Sequence, residues 1–449
     1  MSNYIFSRES KTVPQVDTEN RTINTAIPGP STAAILAKLD HYEAKAMQYQ
    51  MPLVLDAAYD CYFNDLDSNQ FIDFTSGIFV ANVGHSNLAV EEAIVERLDA
   101  AMSYSYTYAT KKRADYLEAL SAWSGFDKAL LLSSGTEATE TALKLMRVYG
   151  KSVGKRRPGI ISVAGAYHGR TMGAQLMNGG IHADWIGFDD PNIWRLNPVF
   201  GSAKTKAHPA ELFEIDLSRV AGMNGLNVTT DICGFMIETF IGWSASFYHV
   251  EWVKAIAKFC GKNNILLCFD EMQAGFGRTG KKFGFEHYGV KPDLICVGKA
   301  MGNGVPLSGV LGRRDILDLP NAHNLTSTHS ANPLCCAAGL AVLQELDANN
   351  LVAEAERKGD EILFPALGGL QKAGLCESVA GAGLIAAAGF KTPEIASEIA
   401  ERCMRKGLVV VHTGRSTIKI GPPLMIPDDA LREGIEVLEE AIQEQNEHP

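Results

Sequence analysis

The chain has no long apolar run: the most extended, such as ILLCF at 265–269, fall far short of the ~20 residues that a membrane-spanning helix needs. Its opening, MSNYIFSRESKTVPQ, lacks a basic stretch followed by an apolar one, so no secretory leader is expected. Positive charge is in deficit. Against 52 Asp and Glu stand 41 Lys and Arg, a formal net charge of -11 at pH 7, which argues against nucleic acid or an anionic membrane as partner. An anionic substrate must therefore be held by local positive charge. Cysteine pairing is missing too. The 9 cysteines are odd in number, scattered and without a CxxC pair, which suits free thiols in a reducing cytoplasm and argues against a disulfide framework, a zinc ribbon or another metal site. Internal repeats and low-complexity tracts are also absent.

What remains is ordinary for a globular enzyme-sized chain: 449 residues, 46% hydrophobic and 21% charged. IPGPST (27–32) breaks the chain and offers Ser31 or Thr32 as the N-cap of a helix running through AAILAKLDHYEAKAM (33–47). From residue 129 short β-type runs alternate with helix-like stretches: ALLL (129–132), GIISVA (159–164), GFMIE (234–238), ILLCF (265–269), DLICV (293–297) and SGVLG (308–312). Continuous apolar strands alternating with helices predict a parallel sheet covered on both faces, an α/β architecture. The last hundred residues read differently, with a charged helical pattern from Asp347 to Lys372, a few short strands and a final helix carrying Leu431, Ile435, Leu438 and Ile442 on one stripe. They predict a smaller α+β domain.

Residues with chemistry gather at the carboxyl ends of the predicted strands, where open α/β sheets bind ligands. LLSSGTEATETALKLMR (131–147) is a strand, a turn of Ser133, Ser134, Gly135 and Thr136, then a helix with Ala142 and Leu145 inward. Free N–H groups and the positive end of the helix dipole at such a turn make a phosphate site, although the same residues also read as an ordinary helix cap. AGAYHGRT (164–171) places Tyr167 and His168 between Gly165 and Gly169, a sharp turn that presents an aromatic face. In LLCFDEMQAGFGRTG (266–280) Asp270 ends an apolar strand; it is either one half of a salt bridge, with Arg278 as candidate, or the group that holds a proton on a heterocyclic nitrogen. CVGKAMGNGVPLSG (296–309) isolates Lys299 between an apolar strand and a glycine-rich loop. A phosphate cradle, an aromatic face, a buried carboxylate and a lone lysine are together what pyridoxal 5'-phosphate requires.

At this point the chain resembles the class III aminotransferases, fold type I pyridoxal-phosphate enzymes that include ornithine, 4-aminobutyrate and ω-amino acid transaminases. The likeness extends from FIDFTSGIFVANVGHSN (71–87) to IKIGPPLMI (418–426), and FDEMQAGFGRTG with FEHYGVKPDLICVGKAMGNGVPLSGVLG carries it most specifically. It implies a large cofactor-binding domain over 71–342 with a mainly parallel sheet, a smaller α+β domain over 343–449, and an N-terminal segment, 1–70, contributing to the smaller domain and to a dimer. It further implies Lys299 as Schiff-base lysine, Asp270 as partner of the pyridine nitrogen, and Gln273 as donor to the ring 3-hydroxyl. Gly135 and Thr136, with Ser134 beside them, would hold the phosphate and Tyr167 would stack on the ring. Thr328, in TSTHSANP (326–333), would reach the phosphate of the neighbouring subunit, so that a homodimer shares its sites.

Two departures from the family pattern concern the substrate. Lys419 stands where many members have an arginine, and lysine lacks the planar fork that grips a carboxylate. In ETFIGWSAS (238–246) Glu238 is kept, while Trp243 stands where a second glutamate is usual. Lys419 is the first candidate to hold a substrate carboxylate, with a solvated lysine on an exposed strand as its alternative; Arg415, Trp243 and Ile78 complete the substrate candidates. The reaction expected is a ping-pong transfer of an amino group from an amine or amino acid to a 2-oxo acid of the pyruvate or 2-oxoglutarate class. Within the same fold, racemisation, epimerisation or decarboxylation are alternatives, as is a chain that keeps only the fold. GAGLIA (381–386) raises a remote one, an NAD-dependent oxidoreductase, but it lacks a surrounding βαβ unit.

Overall fold

In the computed structural model, residues 4–47, 51–100, 106–178, 184–202, 207–319 and 325–447 are described. The alternating pattern folds into a seven-stranded sheet in the order Lys128–Leu132, Ser308–Gly312, Leu294–Val297, Leu266–Asp270, Ile232–Glu238, Gly159–Val163, Ile193–Leu196. Its inner strands are buried along their whole length, as apolar runs covered on both faces must be. Six strands point one way. Ser308–Gly312 alone runs antiparallel to both of its neighbours, because residues 298–307 are too few for the helical crossover that a parallel return needs. The edge strand Ile193–Leu196 was not expected from the sequence: four residues containing Trp194 and Arg195 carry no continuous apolar signal.

Helix Gly135–Ser152 lies across one face with Ala142 and Leu145 fully buried, as the sequence pattern predicts, while Pro209–Asn224 and Val250–Lys262 pack together beside the strands. The parallel register places Asp270 directly beside Glu238 at the carboxyl edge. That adjacency puts two carboxylates at the centre of the sheet's functional end.

The C-terminal region forms a four-stranded antiparallel sheet, Ser378–Ala382, Ile385–Gly389, Thr417–Ile420 and Val411–His412, with helix Pro393–Arg405 against it and helix Asp428–Glu447 packed on that helix. Leu431, Ile435, Leu438 and Ile442 are buried on one face of the last helix, as their spacing predicts. GAGLIA is the turn of an antiparallel hairpin and opens no helix, which removes the basis for a dinucleotide fingerprint. Leu408–Val409 pairs in parallel with Gln70–Asp73, so the N-terminal strands and the C-terminal region share a sheet. All nine cysteines are buried and free, and among the described residues no helix is long and apolar enough to cross a membrane.

Local departures have local causes. Ser31 stands at the N-cap of helix Thr32–Tyr42, but its hydroxyl donates to Asp67 Oδ1 (2.7 Å) and does not cap the helix, which ends five residues before the expected Met47. The pattern expected from Asp347 to Lys372 is broken at Asn350, whose φ of 50° is left-handed, and again by a π turn at Gly359–Leu363. At that turn backbone meets backbone: a Cβ on Gly359 would lie 2.4 Å from the Gly383 carbonyl oxygen, and one on Gly383 2.4 Å from the Thr279 carbonyl carbon. The hairpin tip is thus pressed against the loop that follows Asp270. Gly383 also has φ of +57°, so Gly383→Ala combines a left-handed penalty with overpacking. We expect a loss of about 2–4 kcal/mol, seen as a lower urea midpoint with an unchanged slope; an unaltered midpoint would show that this contact is loose.

Candidate active site

A cavity of about 270 Å³ opens at the carboxyl edge of the sheet, and Gly135, Thr136, Tyr167, Asp270, Gln273 and Lys299 are among its lining residues. Six positions read from separate stretches of sequence thus share one space. Ser134 caps helix Gly135–Ser152 in a capping box with Glu137, its own N–H donating to Glu137 Oε2 at 2.8 Å. The hydroxyl serves the helix, as the alternative reading had it, while Gly135 and Thr136 present the start of the helix to the cavity. Thr136 Oγ1 is 2.6 Å from Thr171 Oγ1, which donates to Glu140 Oε1 at 2.6 Å, so the turn is braced from behind.

Asp270, 5% exposed, is not paired with Arg278. Its Oδ2 lies 2.9 Å from His168 Nδ1, and its Oδ1 accepts the Met272 N–H at 3.1 Å. Arg278 is fully buried elsewhere, donating to the Leu384 and Pro422 carbonyls, to Ser76 Oγ and to Asn82 Oδ1; burial lowers its pKa to about 9. Glu238 accepts the Tyr167 N–H at 3.1 Å and is raised to about 7, chiefly by burial, with nearby His168 opposing and Asp270 adding to the rise. Tyr167 is 42% exposed on the cavity wall, between the left-handed glycines Gly165 (φ +85°) and Gly169 (φ +135°).

Lys299 follows strand Leu294–Val297 and Gly298, at a left-handed φ of 47°, a conformation that costs a non-glycine residue on the order of 1–3 kcal/mol. Burial lowers its pKa, with Asp270 and Glu238 pulling it back up. An amine so placed reaches its neutral, nucleophilic form more readily than a surface lysine.

The substrate candidates fare unequally. Lys419 is 1% exposed, which excludes the solvated-strand alternative; its Nζ donates to Gln273 Oε1 (2.6 Å) and to the Gly242 carbonyl, and it stands behind Gln273 outside the cavity lining. Its pKa falls to about 7, mainly through burial. Arg415 stacks its guanidinium 4.6 Å from the Trp243 ring centre, and neither residue lines the cavity. Ile78 packs beside Phe79 and Phe240 within a left-handed run from Ser76 to Phe79, a rare conformation for a β-branched residue. Thr328 is exposed and does not line the cavity of its own chain. Sequence reading missed the bond from His168 to Asp270 and the presence of Arg170 on the wall. Both residues stand in AGAYHGRT, one and three positions past Tyr167, but that stretch alone does not say what they face.

Comparison with known proteins accords with this geometry. The family model for class-III aminotransferases matches residues 44–442. The acetylornithine aminotransferase of Caldanaerobacter subterraneus subsp. tengcongensis is 31% identical over 384 residues, 85% of this chain and 92% of that protein. The 2-aminoadipate transaminase of Pseudomonas putida is 30% identical over 423 residues, 88% and 97% of the two chains. Among solved structures, an amine transaminase from an uncultivated Pseudomonas species in its PLP-bound form superposes with a TM-score of 0.81 at 26% identity, covering 90% of this chain and 98% of that one.

Glu238 makes stability depend on pH in a defined direction. Its carboxyl is raised from 4.5 to about 7 in the folded chain, so the folded state keeps a proton that the unfolded state releases. The contribution is full below pH 4.5 and is lost as pH rises through 7. Glu238→Gln removes this dependence, and unfolding free energies measured from pH 4.5 to 7 should fall less steeply in the variant than in the parent. Equal slopes would contradict the assignment.

Proposed function

The chain belongs to the class-III aminotransferase family, and we propose that Lys299, Asp270 and the helix start at Gly135 are the working parts of its reaction. It is a pyridoxal 5'-phosphate-dependent aminotransferase; racemase, epimerase and decarboxylase readings are not favoured. The observation that carries the assignment of parts is the meeting, in one cavity, of a half-buried lysine amine and a buried carboxylate held by an imidazole. The residues fit the cofactor. The N-terminus of helix Gly135–Ser152 suits a phosphate, the Tyr167 ring suits stacking, and Asp270 suits a cationic ring nitrogen.

Bound there, the cofactor supplies an aldehyde that condenses with amines and a protonated ring that accepts the electron pair of a broken Cα–H bond. Lys299 would hold that aldehyde at rest, and its Nζ, as a free amine, would be the base for the donor's Cα proton. Asp270 would keep the ring nitrogen protonated, and His168 Nδ1 fixes the carboxylate that would do so. Gln273 would donate to the ring 3-hydroxyl, Gly135 and Thr136 would hold the phosphate with Ser134 beside them, and Tyr167 would cover the ring. Thr328, exposed on its own protomer, reaches the phosphate of a partner subunit in a homodimer. Residues 71–342 form the cofactor-binding domain and 343–449 the smaller one, with 1–70 contributing to the smaller domain and to the dimer. Nine buried, free thiols fit a cytoplasmic enzyme.

Donor and acceptor use the cavity in turn, and the 2-oxo acid brings a carboxylate. Among the described residues, Arg170 lines the wall together with Lys299, and it takes the carboxylate role for which Lys419 and Arg415 were first considered. Two variants test these roles. Lys299→Ala should fold, as judged by its melting curve, and lose turnover; substantial activity without an added amine would defeat the assignment. Arg170→Met should lower kcat/KM for the oxo acid about 10- to 150-fold, equivalent to ~1.5–3 kcal/mol, with cofactor absorbance unchanged; unaltered acceptor kinetics would clear it of the role.

A further inference from the structure

Lys419 is a lysine with almost no contact with water, and nothing in the reaction as described uses its amine. It reaches Gln273 Oε1 at 2.6 Å and the Gly242 carbonyl, and its Nζ lies 4.3 Å from the Phe79 ring centre and 5.5 Å from that of Phe240. Both polar partners are oxygens and the remaining directions are aromatic, so the amine is fully used without a substrate.

We propose that Lys419 is a positioning residue of the cofactor site, pinning the Gln273 carboxamide so that Oε1 faces strand Thr417–Ile420 and Nε2 is the group offered to the cavity. The inference rests on the reading of Gln273 as donor to the ring 3-hydroxyl. A carboxamide has two orientations that differ only in exchanging acceptor for donor. With Oε1 toward Lys419, an N–H meets a lone pair; reversed, two N–H groups face each other in a dry site, an arrangement left unpaired on both sides. The lysine therefore decides which end of Gln273 the cofactor meets. Burial lowers the amine toward neutrality, Glu238 draws it up, and Lys299 and Arg278 push it down. The ammonium form enforces this orientation because it has no lone pair to accept from Nε2, and the neutral amine still has two N–H bonds for its two acceptors. Phe79 stands beneath the amine because the chain from Ser76 to Phe79 winds left-handed, and Arg278, bonded to Ser76 Oγ, holds that run in place.

The test is a double-mutant cycle read on bound cofactor. Pyridoxal 5'-phosphate affinity and the visible absorbance maximum are measured for the parent, Lys419→Met, Gln273→Ala and the double variant. Lys419→Met should weaken affinity about fivefold, the worth of one ordinary hydrogen bond, and move the absorbance maximum. Lys419→Arg should restore most of both. In the Gln273→Ala background, Lys419→Met should add nothing, because its effect passes through the amide. Equal effects of Lys419→Met in both backgrounds, or parental affinity and absorbance in the single variant, would overturn the proposal. Parental values in Gln273→Ala alone would overturn the role of Gln273, and this inference with it. Should Lys419→Met not fold, Lys419→Gln replaces it in the cycle, since a single amide group cannot serve both acceptors in the same geometry; the same outcomes decide.

Discussion

Two carboxylates stand side by side at the carboxyl edge of a buried sheet, because parallel register pairs Asp270 with Glu238. Placing even one there costs several kcal/mol unless hydrogen bonds and opposite charge offset it, and the second adds like-charge repulsion. Much of the local structure answers that problem. His168 meets Asp270, the Tyr167 N–H meets Glu238, Lys299 brings positive charge toward both, and Lys419 brings it toward Glu238. Glu238 absorbs the remainder by holding its proton up to about pH 7. Asp270 is left as the carboxylate whose partner is an imidazole and whose open side is the cavity.

The scaffold behind these groups is rigid and in places strained. Lys299, Ile78 and Phe79 hold left-handed backbone angles, and glycines press hairpin, π turn and post-Asp270 loop together without room for a methyl group. Arg278 ties the same elements by four hydrogen bonds to neutral oxygens, with no carboxylate among them. Such strain persists only where the surroundings over-determine it. Here it aims Lys299 into the cavity and sets Phe79 beneath Lys419.

Much of this was legible in the sequence because the chemistry stands at the ends of continuous apolar runs. Lys299 and Asp270 were found for that reason, and so were the strands that carry them. Groups that depend on two loops meeting were not. Nothing in AGAYHGRT says that His168 will touch a residue 102 positions later, and nothing in STIKIGPP says that Lys419 will turn inward to Gln273. A strand alternates faces, so the choice between a solvated lysine and a buried one waits on register with Ile385–Gly389. The short strand Ile193–Leu196 escaped, and so did the reversed direction of the predicted strand Ser308–Gly312, for a related reason: both are settled by neighbours and connection length, not by their own residues.

The central claim is that the His168-held carboxylate of Asp270 sets the charge of the cofactor ring and thereby the ease of removing the Cα proton. Asp270→Asn keeps the shape and removes the charge. Single-turnover rates of the donor half-reaction, measured together with bound cofactor, separate this role from simple retention. The account predicts proton transfer slowed by orders of magnitude with most of the cofactor still bound. Proton transfer at close to the parental rate would contradict it and leave Asp270 as a structural carboxylate.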